Sequence, residues 1–193
     1  MLWDSFLRSN YYYGKSMTNP EDRIDNPVWL DEWLAEQKLP HPGAPSAKEM
    51  ESLKRLRGHM RHIVLKLSAG ESADPADLEG INRALLDGPM ILRIEQSDSG
   101  YHMASMPAQV AWSGTAAAVA ASFGHVLAEG DPSRFRICEN TECMSAYYDE
   151  TRNRSKRFCH EKYCGNLMKV RRFRARQKAA DSSGSSTHGD SEI

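Results

Sequence analysis

Four cysteines constrain this chain more than any other feature. Cys138, Cys143, Cys159 and Cys164 stand as C-x4-C-x15-C-x4-C, and they are the only cysteines in 193 residues. A tetrahedral Zn²⁺ takes four thiolates at about 2.3 Å, and pairs spaced by two to four residues are the usual way to supply them. Each pair turns the backbone tightly, and the fifteen-residue connector brings the two turns together. In a chain that reads as intracellular, such pairs favour a metal over disulfides. Two alternatives stay open: a thiol redox sensor that pairs Cys138–Cys143 or Cys159–Cys164 under oxidant, and four unrelated buried thiols. A closed set of four cysteines leaves no vacant coordination position, so one structural Zn²⁺ is expected. A module of some 45 residues buries little apolar surface, and metal binding would supply much of its stability.

Charge is segregated around these cysteines. The formal total is −1, yet residues 133–178 carry 13 Lys and Arg against 5 Asp and Glu. Residues 1–132 carry 12 against 18, and the last fifteen carry none against three. A basic segment on an acidic body is the footprint of a polyanion-binding site rather than of a uniformly basic coat. Zn²⁺ with four thiolates adds −2, leaving the module at about +6. This division predicts a finger that either detaches from the acidic domain or docks on it electrostatically and is competed off by DNA.

The acidic part reads as a multihelical domain over residues 1–132. Asn26-Pro27 has the form of a cap followed by proline at the first helical position. Trp29, Leu30, Trp33 and Leu34 then make an apolar stripe that ends near Pro40. Trp29 and Trp33 serve equally as core or as the lining of a small-effector pocket. Ser46-Ala-Lys-Glu49 is a capping-box pattern before Met50, Leu53, Leu56, Met60, Ile63 and Leu67. His59 and His62 lie one turn apart there, but no carboxylate or cysteine is spaced to complete a metal site, and a surface pair is expected. Asp74-Pro75 starts a further helix with Leu78, Ile81 and Leu85. Met90–Glu95 and Tyr101–Met106 read as a β-hairpin across a turn-rich Gln96–Gly100. Pro107 to about Ala128 reads as an alanine-rich helix whose small residues let a neighbour approach. The first fifteen residues, with Tyr11–Tyr13, read as a short helix leading into a loop, and residues 179–193 as a disordered tail. The fold class is mainly α: helices, one small hairpin, and a four-cysteine module over 133–178 that ends in a basic helix.

The run Cys138-x4-Cys143, Tyr147-Tyr148-Asp149, Arg152-Asn153-Arg154, Arg157-Phe158-Cys159 and Cys164-Gly165-Asn166 resembles the bacterial CGNR zinc-finger family. The stretches Phe6-x3-Asn10-Tyr11 and Trp29-Leu-Asp-Glu-Trp33-Leu34 are similar to the start of ABATE, the helical domain that precedes that finger in the family. The resemblance implies a stress-induced transcriptional regulator. Two positions depart from the family pattern. Leu167 stands where the family has its motif arginine, removing a guanidinium, and Phe158 stands where tryptophan is usual, losing an N–H donor.

After Cys164 the chain reads as a helix with Lys169, Arg172 and Arg176 on one side and Arg171, Arg174 and Lys178 on another. Val170 and Phe173 fall between and are expected to pack on the zinc module, with Asn166 as the cap. An α-helix fits the major groove of B-DNA, and arginine contacts phosphates and guanine edges. The nucleic-acid contacts expected are Arg154, Lys156, Arg157, Lys169, Arg171, Arg172, Arg174 and Arg176. Duplex DNA is favoured over RNA, because the module lacks a dense aromatic stacking platform. The competing class is a protein-interaction adaptor whose zinc module presents a basic surface to an acidic partner. His160 reads as a surface residue rather than a spare ligand. No G-x-S-x-G, P-loop, H-E-x-x-H or dinucleotide fingerprint occurs, and no enzyme is expected. The longest uncharged apolar run is the six-residue Ala116–Ala121, too short to span a bilayer. The N-terminus lacks the pattern of a secretory signal. A cytoplasmic protein is therefore expected, nucleoid-associated if bacterial, with DNA as partner, and with a small-molecule effector in the helical domain and a homodimer as candidates.

Overall fold

A computed structural model describes residues 1–10, 22–98, 100–143 and 145–184. The chain is mainly helical. In order come α1 (Leu2–Leu7), α2 (Pro27–Glu36), α3 (Ala47–Ser68), α4 (Pro75–Asp87), the antiparallel strands β1 (Met90–Ser97) and β2 (Gly100–Pro107), and α5 (Trp112–Glu129). The short strands β3 (Phe135–Ile137) and β4 (Ala146–Tyr148) pair antiparallel, and α6 (Asn166–Gly184) closes the chain.

Local chemistry sets the helix starts. Asn26 Oδ1 accepts from the N–H groups of Val28 at 3.0 Å and Trp29 at 3.4 Å, with Pro27 in the first turn where a missing N–H costs nothing. Ser46 and Glu49 form the reciprocal capping box of α3. The apolar stripes then bury together: Trp3 and Phe6 from α1, Leu30, Trp33 and Leu34 from α2, Leu53, Met60, Ile63 and Val64 from α3, and Val119 and Phe123 from α5. Ala116, Ala117 and Ala120 are buried where α5 meets its neighbours. Gly88 is required by the close crossing of α4 and α5, since a Cβ there would stand 2.2 Å from the Ser113 carbonyl oxygen. Helix α5 begins at Trp112 rather than Pro107, because β2 runs on to Pro107, and the Ala108 N–H bonds the Pro89 carbonyl at 2.9 Å.

One buried ion pair ties the segments together. Arg57 on α3 is 6% exposed and donates to both carboxylate oxygens of Asp22 and to Ser9 Oγ at 2.7 Å. Burial opposes ionisation of Asp22, but the Arg57 hydrogen bonds outweigh it and hold the carboxyl below its ordinary range.

The finger is not a detached appendage, and it does not dock by charge alone. Phe135 of β3 is fully buried in the same cluster as Trp3 and Phe123, with ring centroids 5.7 and 5.9 Å away. Tyr148 of β4 packs edge-on against Phe135 at 5.1 Å, and its hydroxyl accepts from the Asp131 N–H at 2.8 Å. Charges on the two parts meet at the rim, where Arg154 pairs with Asp131 at 2.6 Å. The expected electrostatic docking is thus corrected to an apolar joint. Whole-chain charge could not reveal it, because the joint is made by single apolar residues on three-residue strands with no readable period.

The end of the chain also differs from expectation. Helix α6 continues past Lys178 to Gly184, because Ala179 and Ala180 favour helix and no breaker intervenes before the glycine. Residues 185–193, the rest of the expected tail, and Tyr11–Tyr13 lie outside the described residues.

Replacing Phe135 by alanine should destabilise the whole chain by about 3–5 kcal/mol, as for a fully buried core aromatic. Chemical denaturation should register this in tryptophan fluorescence of the helical domain, with little dependence on salt. A loss confined to the finger would contradict the shared core.

Candidate metal centre and nucleic-acid interface

The four cysteines converge. Cys138 follows β3, Cys143 lies in the loop before β4, Cys159 ends the long connector, and Cys164 sits in a single π turn, Glu161–Gly165. All four are buried, and their sulfurs lie within 4.8 Å of one another. Cys143 Sγ is 3.6 Å from Cys159 Sγ, which is 3.8 Å from Cys164 Sγ. Four sulfurs bound tetrahedrally at about 2.3 Å stand about 3.8 Å apart, so the site has the dimensions of a four-thiolate zinc centre. The residues fit one structural zinc ion held by Cys138, Cys143, Cys159 and Cys164.

Charge explains why the cluster calls for a cation. Hydrogen bonds from Cys138 and Cys159 pull the Cys143 thiol down to about 2. Cys138 is pushed up to about 11, chiefly because it donates to Cys143, and Cys159 is raised as well, chiefly by Cys138. One negative charge in so small a space suppresses the next, and a divalent ion removes that conflict. Polar groups around the sulfurs favour the charged state. The Cys159 N–H points at Cys138 Sγ at 3.5 Å, Asn140 Nδ2 donates to Cys164 Sγ at 3.6 Å, and the Ser145 hydroxyl lies 3.1 Å from Cys143 Sγ. Asn140 and Ser145 escaped the sequence reading, although both lie within two residues of a ligand.

Two aromatic residues complete the finger core. Tyr147 is buried and donates its hydroxyl to the Lys156 carbonyl at 2.6 Å, and Phe158 packs among the cysteines. Asp149 is fully buried and ionised. Burial opposes its charge, but the Thr151 hydroxyl and the Thr151 and Lys156 N–H groups, at 2.6, 2.9 and 3.0 Å, hold its pKa down. Asp149 therefore shapes the loop that carries Arg154 and Lys156. Its place in the Tyr147-Tyr148-Asp149 motif was the available signal.

The basic residues fall into two groups. Arg154, Lys156 and Arg157, joined by Arg136, line a groove of about 560 Å³ beside β3. Arg157 forms a two-pronged pair with Glu139, and Lys156 lies over the Tyr147 ring at 5.0 Å. Arg157 and Arg172 both lie 6.0 Å from the Phe158 ring, which links the groove to α6. On α6, Lys169 stands 3.7 Å from Glu161 and Arg171 2.7 Å from Glu142. These pairs are solvent-exposed, and exposed ion pairs exchange for phosphates at little cost. Arg174 and Arg176 lie further along the same helix and are exposed.

Two expectations for this helix are corrected. Val170 and Phe173 do not pack on the zinc module; they are 45% and 55% exposed, and Met168 makes the contact instead. Every residue of α6 from Lys169 to Ala180 is exposed, although Arg171 and Arg172 still reach Glu142 and the Phe158 ring. Asn166 is itself helical, at φ −65° and ψ −42°, and is not the non-helical residue a cap requires. Gly165 has no positive φ, and a Cβ there would make only ordinary contact with the Glu161 carboxylate. Leu167 is exposed. His160 packs on the Tyr163 ring at 4.6 Å and is not grouped with the sulfurs.

Trp29 and Trp33 stack 6.0 Å apart on α2, and Trp33 Nε1 donates to Ser5 Oγ at 2.9 Å. They border a cleft of about 500 Å³ that His160 and Tyr163 share from the finger side. Among the described residues, no helix is long and apolar enough to cross a membrane.

Two family models match the chain. ABATE, described as "putative stress-induced transcription regulator", matches residues 5–130, and the CGNR zinc finger matches residues 134–177. Both are regulatory or zinc-finger families rather than enzyme families. A search of the curated proteins returns no match.

Protein dialysed exhaustively against metal-free buffer should retain one zinc per chain. Cys143→Ser should retain less than half an equivalent while keeping the helical far-UV signal of α3 and α5. Retention of full zinc by that variant would contradict the four-thiolate site.

Proposed function

The chain belongs to the ABATE family and carries a CGNR zinc finger, and from that premise we propose that it is a zinc-containing, DNA-binding regulator of transcription. The observation that carries the reading is α6. It leaves the finger with six basic side chains in the ten positions from Lys169 to Lys178, all exposed, and no acid between Glu161 and Asp181. In this reading α6 enters the major groove and the basic groove at Arg136, Arg154, Lys156 and Arg157 holds the adjacent phosphates. The zinc centre fixes the angle between the two. The apolar joint at Phe135 fixes both against the helical body, so a change in the body reaches the DNA-contacting surface as a rigid movement.

The body offers room for an effector. An open cavity of about 860 Å³ lies between α3, α4 and α5, bordered by Ser52, Arg55, His59, Arg83 and Trp112. Lys48, Arg55 and Arg83 are balanced there by Glu49, Glu79 and Asp87, and this mixed charge beside an aromatic ring suits a small polar molecule with an apolar part.

A second reading, an adaptor for an acidic protein, is favoured by one observation. Leu167, Val170 and Phe173 present exposed apolar groups on the basic helix, and such groups are what a protein partner would cover. The two readings differ in what binds.

Duplex binding by the zinc-loaded chain should fall with salt at a log–log slope of roughly −5, the value for six neutralised phosphates. Replacing both Arg172 and Arg176 by alanine should weaken binding and make that slope shallower by about 2. Absence of binding to any duplex at about 50 mM salt would overturn the DNA reading and leave the adaptor.

A further inference from the structure

The α3–α4 corner carries a second cluster of metal-binding side chains, about which the zinc finger says nothing. His59 and His62 project from one face of α3. Asp74 and Asp77 come from the start of α4, brought opposite them by the turn between the helices. Asp77 is 8% exposed and sits between the two rings. Its Oδ1 lies 2.9 Å from His59 Nδ1, and its Oδ2 lies 2.5 Å from His62 Nδ1. Asp74 Oδ2 lies 3.7 Å from the same His62 nitrogen. The donor atoms of His62, Asp74 and Asp77 all lie within 4.8 Å of one another. Sequence spacing could not supply the missing carboxylates, because they stand on a different helix.

We propose that His62, Asp74 and Asp77 form a second, open site for a first-row divalent transition ion, with His59 positioning Asp77. Nitrogen and oxygen donors about 2.1 Å from such an ion stand roughly 3–3.5 Å apart, between the two separations His62 Nδ1 now makes with Asp77 and Asp74. Small rotations of the half-exposed His62 and Asp74 side chains close that difference. The ion takes the place of the hydrogen shared by His62 Nδ1 and Asp77 Oδ2, and the ring proton moves to Nε2. Asp77 then binds through Oδ2 while His59 holds Oδ1, the usual way an outer hydrogen bond aims a carboxylate ligand. His59 is itself fixed by packing: a Cβ on Gly80 would stand 2.4 Å from His59 Cδ2, so the ring lies flush against α4. Lys66, whose charge reaches Asp74 and Asp77, is occupied by Glu71 at 2.9 Å.

Imidazole and carboxylate select a borderline ion of the zinc, nickel or manganese kind. Three protein ligands leave positions open to water or to an anionic group, unlike the closed thiolate centre. The site is exchangeable for the same reason. His59 also borders the cavity between α3 and α4, so an ion here stiffens the wall of that cavity.

The test is calorimetric titration of Zn²⁺ into untagged full-length protein whose finger already holds its zinc. One further equivalent should bind. His62→Ala, and separately Asp74→Asn, should remove that equivalent, and His59→Gln should weaken it by about 10–100-fold. Each variant should keep the finger's single zinc and the wild-type far-UV spectrum, which separates loss of the site from loss of the fold. With Co²⁺ as probe, the second equivalent should add no thiolate-to-metal absorption. A wild-type chain that takes up no second ion, or variants that still bind it unchanged, would overturn the proposal.

Discussion

Four sulfurs packed within 4.8 Å of one another cannot all carry a negative charge without a cation among them. That electrostatic conflict is the constraint on which the finger rests. Among the described residues between Cys138 and Gly165, the large apolar side chains buried with the cysteines are Tyr147 and Phe158, and two aromatic rings are too little core for an independent fold. One zinc ion resolves the charge and supplies the missing cohesion. It also determines where α6 begins, because Cys164 lies in the π turn from which that helix leaves.

The helical body imposes the second constraint. Phe135 lies three residues before the first ligand and is buried against Trp3 and Phe123. The strand that delivers Cys138 to the metal is thus held by the domain next door. The basic and acidic parts differ sharply in charge, yet they are joined by rings, with charges such as Arg154 and Asp131 meeting only at the edge. Salt therefore screens the exposed basic surface without loosening the joint.

The helices were readable because their signals are local. The Asn26-Pro27 cap, the Ser46–Glu49 capping box and the stripes of α2 and α3 each lie within a turn or two of sequence. The metal ligands were readable because paired cysteines have few other uses at that spacing. What escaped the sequence depends on residues that meet through space. Phe135 and Tyr148 lie on strands too short to show a period, and Asp77 reaches His59 and His62 only after α3 and α4 pack together. Val170 and Phe173 misled for the converse reason. Their spacing is that of a buried face, but Met168 makes the contact with the cysteine cluster and leaves them exposed.

The account stands on a division of labour: zinc organises the finger, while the helical body folds on its own and holds the first strand. Hydrogen–deuterium exchange of zinc-loaded and zinc-stripped, reduced protein tests this directly. On zinc removal, protection should collapse across residues 138–168, and in β3 with the β4 strand it pairs with, while α3 and α5 keep theirs. Unchanged protection across 138–168, or equal loss in α3 and α5, would contradict it.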